Sequence, residues 1–397
     1  MIRRIRICDF KSIRELELEL HPVTVLIGRS GTGKSNIVQA IRFLRNLLLN
    51  FDQAVSYEGG WLRIVPAGLP TPKTSIEVSF SLPGDDREYK YSVGFSMPVG
   101  QTSSPGRAPV LVNESLVLGR EQLFARSLQG RKPWTWDKPP RTTTPPRQQG
   151  GLMLGTFPSL QEVVHAYAAL STGIGYYHLP STALDPARIV SPGPQPPYPA
   201  QGLWDDAGNY RDVMRGIAQD FHHPNLRKSL LATLQKVNPS IASIELDSVI
   251  SPQRAVVGHT SDGSILELSL EQESDGFRRF YAHLLALYQN PSKLTLVFEE
   301  PENAIFPGAL SLLADEFKAA PRENRGQVIL TTHNPTLLDS FGIDDVKVVD
   351  MKDGRTVVGP VAKEQREAVK DRLLTTGEIL TVEQPKLDSP AAAAHAA

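Results

Sequence analysis

The sequence predicts an α/β fold, a mixed sheet built around a phosphate-binding loop with helices packed on it. Three observations predict it. Val23 to Ile27 is an apolar run of strand length; it leads into Gly28-x-x-x-x-Gly33-Lys34-Ser35; and Ile37, Ile41, Leu44 and Leu48 then recur at helical spacing. Strand, glycine loop and helix in that order are the context in which this pattern cradles phosphate instead of forming an ordinary turn.

The chemistry of the loop follows from its residue types. Gly31 and Gly33 let the backbone curl so that successive N–H groups point inward, and the start of the helix adds partial positive charge. Lys34 can reach the β- and γ-phosphates, and the Ser35 hydroxyl can ligate Mg²⁺. The expected nucleotide contacts are therefore Gly28, Arg29, Ser30, Gly31, Thr32, Gly33, Lys34, Ser35 and Asn36.

Composition sets the bounds. A chain of 397 residues has room for two domains, or for one large domain with an insertion. Hydrophobic residues at 40% and charged residues at 21% describe a globular protein. The net charge of −1 supplies no global field toward nucleic acid or anionic membrane, so any DNA contact must come from a local patch. No apolar run approaches the roughly 18 residues of a membrane span. Met-Ile-Arg-Arg-Ile-Arg lacks the apolar stretch of a signal peptide. Cys8 is the single cysteine, which excludes internal disulfides and Cys-based zinc sites and fits a reducing cytoplasm.

Taken in order, residues 2–8 and 15–20 read as strands, the second with one wet face, and Asp9 to Ser12 as the turn between them. The loop helix runs to about Asn50. Ser75–Phe80 and Glu88–Phe95 predict a hairpin around Pro83-Gly84-Asp85-Asp86. Between Pro98 and Pro199 lie 16 of the 32 prolines, so 98–109, 131–150 and 186–200 are expected as loops. Trp134 and Trp136 fall in such a setting, better suited to packing under a loop than to stacking on a base. Ser159-x-x-Glu162 predicts a capping box opening a helix to about Leu170. Residues 209–220 and 225–236 predict two further helices, and 241–268 alternates as strand. Phe277, Phe280, Tyr281, Leu284 and Tyr288 form a helical stripe of the kind that faces a core. Leu294–Phe298 and Gln327–Thr331 predict buried strands, and 385–397 a loose tail. No period of roughly 20–50 residues repeats.

A phosphate loop alone serves many reactions, and the remaining motifs choose among them. The strand 294–298 ends in Glu299-Glu300-Pro301-Glu302, where one carboxylate can hold Mg²⁺ through water and the next can activate the attacking water. The strand 327–331 ends in Thr332-His333-Asn334-Pro335, where a histidine can meet the γ-phosphate and steer that carboxylate. Ser274-Asp275-Gly276 opens the aromatic helix and offers a second anion site at its N-terminus. Each motif alone also fits a solvated loop, a polar strand end or a common helix cap. Their order decides for the site.

Phe10-Lys11-Ser12, Gly28 to Asn36, Ser274-Asp275-Gly276, Glu299-Glu300-Pro301-Glu302 and Thr332-His333-Asn334-Pro335 together resemble the ABC-type ATPases of the SMC/RecF branch. The nearest likeness is to compact AAA-family ATPases related to OLD nucleases and anti-phage defence ATPases. It covers residues 1–50 and 240–360; the middle matches in layout only. The resemblance implies a P-loop NTPase of ABC/RecF-like head fold, with a mixed sheet and an inserted β-hairpin and helical lobe. It also implies ATP and Mg²⁺ as cofactors, and a homodimer or higher homo-oligomer formed through an ATP sandwich. Glu300 would then be the hydrolytic carboxylate, His333 the switch histidine, and Ser35 with Glu299 the metal pair. Ser274 and Gly276 would cap the ATP held by the other copy, and Lys11 would line the nucleotide pocket. The sequence departs from the family in having Glu299 where many members have Asp, and Ile305-Phe306-Pro307 for Leu-His-Pro. Its glutamine-loop residue is not assignable; Gln53 and Gln101 qualify by position only.

The expected layout is a first part of the head at 1–50, an inserted lobe at 51–240, the second part of the head at 241–365, and a helix and tail at 366–397. The insertion holds too much proline for long coiled-coil arms. The expected function is that of a cytoplasmic ATPase, without membrane contact, whose ATP-driven dimerisation switches a separately encoded effector in phage defence or DNA maintenance. A transporter subunit would need a Leu-Ser-Gly-Gly-Gln signature, which the sequence lacks. A RecF-type DNA-repair loader would use Arg3, Arg4, Arg6, Lys11 and Arg14, which a solvated strand face explains more simply. A nucleotide-binding scaffold with little turnover is the third alternative. Neither Asp344-Asp345 nor His222-His223 has the companions of a nuclease centre, so the chain itself is expected to cut no nucleic acid.

Overall fold

Why the apolar runs Val25–Ile27, Val328–Leu330 and Leu296–Phe298 are unbroken is answered by their place: they are neighbours in a parallel sheet covered on both faces. In this computed structural model the sheet has six strands, in the order Arg355–Pro360, Val346–Lys352, Val23–Ile27, Gln327–Thr331, Thr295–Glu299 and Ile174–Tyr177. All pairings are parallel except that of the first two. The structure describes residues 1–69, 72–96, 110–127, 134–135, 152, 154–155, 160–180, 183–184, 202–220, 223, 225–247 and 254–388.

One face of this sheet carries the phosphate-loop helix Lys34–Leu49, with Ile37, Ile41, Leu44 and Leu48 buried as their spacing requires. The other face carries the helices Asp275–Tyr288 and Pro307–Arg322, packed around Phe280, Phe298 and Phe317. Alternation along the acidic strand divides it between the two cores: Val297 joins the loop-helix side and Phe298 the opposite one.

A second, antiparallel sheet begins at the N-terminus, in the order Ile13–Glu19, Ile2–Phe10, Lys73–Phe80, Tyr89–Ser96, Val110–Leu118, Glu121–Ser127 and Trp134–Thr135. The expected hairpin is present, and it continues this sheet through the N-terminal strands. Three further strands, Ile241–Leu246, Ala255–Ser261 and Ser264–Ser269, make a small meander before the aromatic helix. Among the described residues, no helix is long and apolar enough to cross a membrane.

Four local expectations need correction. Asp9 and Phe10 extend the first strand, so the turn is Lys11–Ser12. The helix to Leu170 starts at Gln161 with Leu160 at its N-cap and no side-chain cap; Ser159 lies outside the described residues. Val110–Leu118 and Glu121–Ser127 form a hairpin that the proline count on either side obscured, and Trp134–Thr135 pairs with it inside the stretch expected as loop. The stretch 385–388 is held in place: Ala362 N–H donates to Lys386 O (2.8 Å), Asp388 N–H to Pro360 O (3.0 Å), and Leu387 packs on the core. Trp136, Gln101 and His222 lie outside the described residues.

Candidate ATPase site

The loop's glycines answer to backbone geometry. Gly31 and Gly33 have φ of 80° and 98°, the left-handed region that side chains resist. At Gly33 a Cβ would also lie 2.1 Å from Thr356 Oγ1, and at Gly28 it would lie 2.1 Å from Val349 O. The helix begins at Lys34 with Gly33 as N-cap and no side-chain cap, which leaves its first-turn N–H groups available to an anion. Lys34 is buried, and its ammonium donates to Gly28 O (2.7 Å) and Arg29 O (2.9 Å) across the loop mouth. Burial depresses its pKa below the ordinary lysine value; Glu300 and Glu302 oppose that shift. Asn36 donates to Ser12 Oγ (2.6 Å), which also meets Thr356 Oγ1 (2.6 Å), and Thr356 Oγ1 in turn donates to Thr32 O of the loop (3.0 Å).

Parallel pairing brings the other motifs to the same edge of the sheet. Glu299 pairs with Thr331, Thr331 with Leu26, and Thr332 N–H donates to Leu26 O (3.1 Å). Ligands of open α/β sheets bind at this edge, beyond the carboxyl ends of the strands. Glu299 is nearly enclosed, and its Oε2 accepts the Tyr176 hydroxyl. The strand then breaks. Glu300 takes φ of 46°, and its N–H donates to Thr331 Oγ1 (3.1 Å), which turns its half-exposed carboxylate off the strand axis. Asn303 Nδ2 donates to Glu300 Oε2 (3.0 Å), and His333 Nδ1 lies 3.5 Å from Glu300 Oε1.

Glu302 is the residue that sequence reasoning quoted without giving it a task. It is buried, and its Oε1 accepts from Thr332 Oγ1 (2.7 Å) and His333 N–H (3.1 Å), while His333 Nδ1 stands 3.4 Å away. Its other oxygen has no hydrogen-bond partner. The available signal was a third acidic residue in a strand-end loop too short to leave it in solvent.

Ser274 caps the helix Asp275–Tyr288 by accepting from Phe277 N–H (3.2 Å). Gly276 sits where a Cβ would come 2.9 Å from Ala304 O, so the helix start lies directly against the loop after the acidic strand. Arg279 reinforces the contact by donating to Asn303 O (2.6 Å). The capped Ser-Asp-Gly turn and the Glu300 loop thus form one connected surface.

The other sequence candidates have partners of their own. Lys11 donates to Gln39 Oε1 (2.6 Å) and pairs with Glu58 (2.7 Å). Gln53 starts the helix Phe51–Tyr57, is exposed, and only its N–H is engaged, by Asn50. In the basic cluster Arg4 pairs with Glu17 (3.1 Å), Arg6 with Glu15 (2.5 Å) and Arg14 with Asp9 (3.9 Å). Those arginines are neutralised by their own sheet. Asp344 and Asp345 lie apart from the site, against Lys370 (3.1 Å) and His21 (3.8 Å).

Comparison with known proteins agrees with this geometry. Residues 1–116 match a family model described as "AAA ATPase domain", and residues 176–339 one described as "AAA domain, putative AbiEii toxin, Type IV TA system". Among solved structures, an SMC head bound to the C-terminal winged-helix domain of ScpA aligns at 13% identity and a TM-score of 0.55, over 92% of this chain and 99% of that one. An SMC head with an extended coiled coil, bound to the C-terminal domain of ScpA derived from Pyrococcus furiosus, aligns at 12% identity and 0.53, over 94% and 99%. Fold and site define a P-loop protein with the ABC-type head fold of SMC proteins. The two family-model matches are both to AAA-type domains, one of them described as an ATPase domain, which supports ATP binding and hydrolysis as its activity.

Proposed function

We propose that the chain is a Mg²⁺-dependent ATPase whose copies close head to tail on ATP and so switch a separately encoded partner. The phosphates lie on the uncapped helix N-terminus, with Lys34 turning from the loop carbonyls to the β- and γ-oxygens. Ser35 and Glu299 are the residues that would hold Mg²⁺, Glu299 through water; the ion supplies charge neutralisation on the phosphates. Glu300 orients and deprotonates the attacking water, and His333 faces the γ-phosphate. Ser274 and Gly276 cap the nucleotide of the other copy.

The observation that carries this proposal is the convergence of Glu300 and His333 at adjoining strand ends, with the charges of Glu300 and Glu302 felt at Lys34. A carboxylate turned out of its strand, held by Asn303 and faced by a histidine, supports a role in water activation. A partner held or released according to ATP state is in keeping with a family description that names toxin–antitoxin systems. The pairing of Arg4, Arg6 and Arg14 with acidic neighbours weighs against direct DNA binding.

Steady-state phosphate release by the wild type and by Glu300→Gln, with and without DNA, tests the proposal. Magnesium-dependent release by the wild type, indifferent to DNA and reduced by orders of magnitude in the variant, is expected. Equal release by both proteins would remove Glu300 from the reaction.

A further inference from the structure

The site draws on a residue that no motif names. Tyr176 lies in the edge strand Ile174–Tyr177 and pairs in parallel with Val297, which puts its ring on the face that Val297 shares with Glu299. The ring is buried, so its hydroxyl must find a partner inside the protein. That partner is Glu299 Oε2. A carboxylate has only acceptors to offer, so the phenol is the donor of this pair. Tyr177, facing the other side, accepts from Gln289 Nε2 (2.7 Å) and packs on Phe298.

Behind Tyr176 the contacts continue. The Arg42 guanidinium, from the phosphate-loop helix, sits between two rings, 4.8 Å from the Tyr176 centroid and 4.9 Å from that of Tyr57. The same guanidinium donates to Glu58 Oε1 (2.6 Å), and Glu58 Oε2 takes the Lys11 ammonium (2.7 Å). Glu58 is enclosed, so neither cation can be removed without leaving its charge poorly compensated. A train of four contacts therefore runs from the Lys11 turn to the carboxylate at the end of the acidic strand.

We infer that Tyr176 is a positioning residue for Glu299, held in register by Arg42 and Glu58. The inference rests on the role proposed above for Glu299. Glu is one methylene longer than the Asp common at this place, and its extra torsion would let the carboxylate swing. Tyr176 holds it by one oxygen, Oε2, so Oε1 would be the oxygen offered to the water through which Glu299 would hold the metal. Lys11 and Glu58 sit where a shift of the first turn would be felt at Arg42, and through its stacking at Tyr176.

The test is steady-state phosphate release against Mg²⁺ concentration at saturating ATP, for wild type, Tyr176→Phe and Glu299→Gln. Calorimetric titration with ATP in EDTA runs beside it. Tyr176→Phe should raise the Mg²⁺ concentration for half-maximal rate by about ten-fold, as loss of a partner to a metal-holding group does. Its ATP affinity in EDTA should stay unchanged, a separation that general loosening of the fold would not produce. Arg42→Lys, which keeps the charge toward Glu58 and loses the stacked plane, should move the same quantity in the same direction by less. Unchanged Mg²⁺ dependence in Tyr176→Phe and Arg42→Lys, with Glu299→Gln strongly shifted, would overturn the inference alone. An unshifted Glu299→Gln would instead overturn the role proposed for Glu299, and the inference with it.

Discussion

Glu302 binds the end of the His333 strand to the acidic strand: its Oε1 accepts from the His333 N–H (3.1 Å) and from Thr332 Oγ1 (2.7 Å). His333 is thus aimed by a buried carboxylate two residues from the proposed base. Glu302→Ala should lower stability by about 1–3 kcal/mol, since it takes the acceptor from two donors at a buried position. It should also slow phosphate release, because His333 loses its anchor. Glu302→Gln keeps an acceptor oxygen and should do less of both. Urea unfolding and steady-state turnover of the two variants check the order.

Lys34→Ala should abolish ATP binding with little change in stability. The ammonium is engaged only by loop carbonyls among its described contacts, and a typical hydrogen bond contributes about 1 kcal/mol net. Calorimetric titration with ATP is the check. Retained affinity would mean that the helix N-terminus alone holds the phosphates.

His283 provides a pH test of the core behind the acidic strand. It is buried, its Nδ1 meets Arg279 O (2.7 Å), and its ring packs on Phe298 and Phe317. Burial lowers its pKa from 6.5 to about 4. The unfolded chain therefore binds the extra proton at higher pH than the folded one, and stability falls as pH drops from 6.5 toward 4. The loss on crossing that window is roughly 3 kcal/mol. Urea midpoints from pH 7 to 4 should show the decline, and His283→Leu should flatten it.

What the sequence disclosed divides along a physical line. The loop, its strand and its helix were legible because each is local: four helical-spaced apolar residues and a five-residue strand with four apolar residues flank a glycine pattern. The ends of the acidic and histidine strands were legible for the same reason. Tyr176 was not, because its strand has four residues and is defined by pairing with Thr295–Glu299, far away in sequence. Glu302 carried a visible charge, but its task depends on Thr332 and His333 arriving from another strand. The hairpin Val110–Leu118 and Glu121–Ser127 was hidden by the prolines around it and by its own broken alternation, its register shifting between Leu116 and Val117. Lys11 was visible as a basic residue after the first strand, but its pairing with Glu58 depends on a backbone with φ of 52° and on a residue far along the chain.

The central claim is that ATP, held on one copy, is capped by Ser274 and Gly276 of another. Light scattering on Glu300→Gln with Mg²⁺ and ATP measures it directly, since the variant should bind ATP, fail to hydrolyse it and accumulate in the closed state. A mass of twice the chain or more with ATP, reverting to a smaller species with ADP and abolished by Ser274→Arg, is the expected result. A monomer at saturating ATP would contradict the claim.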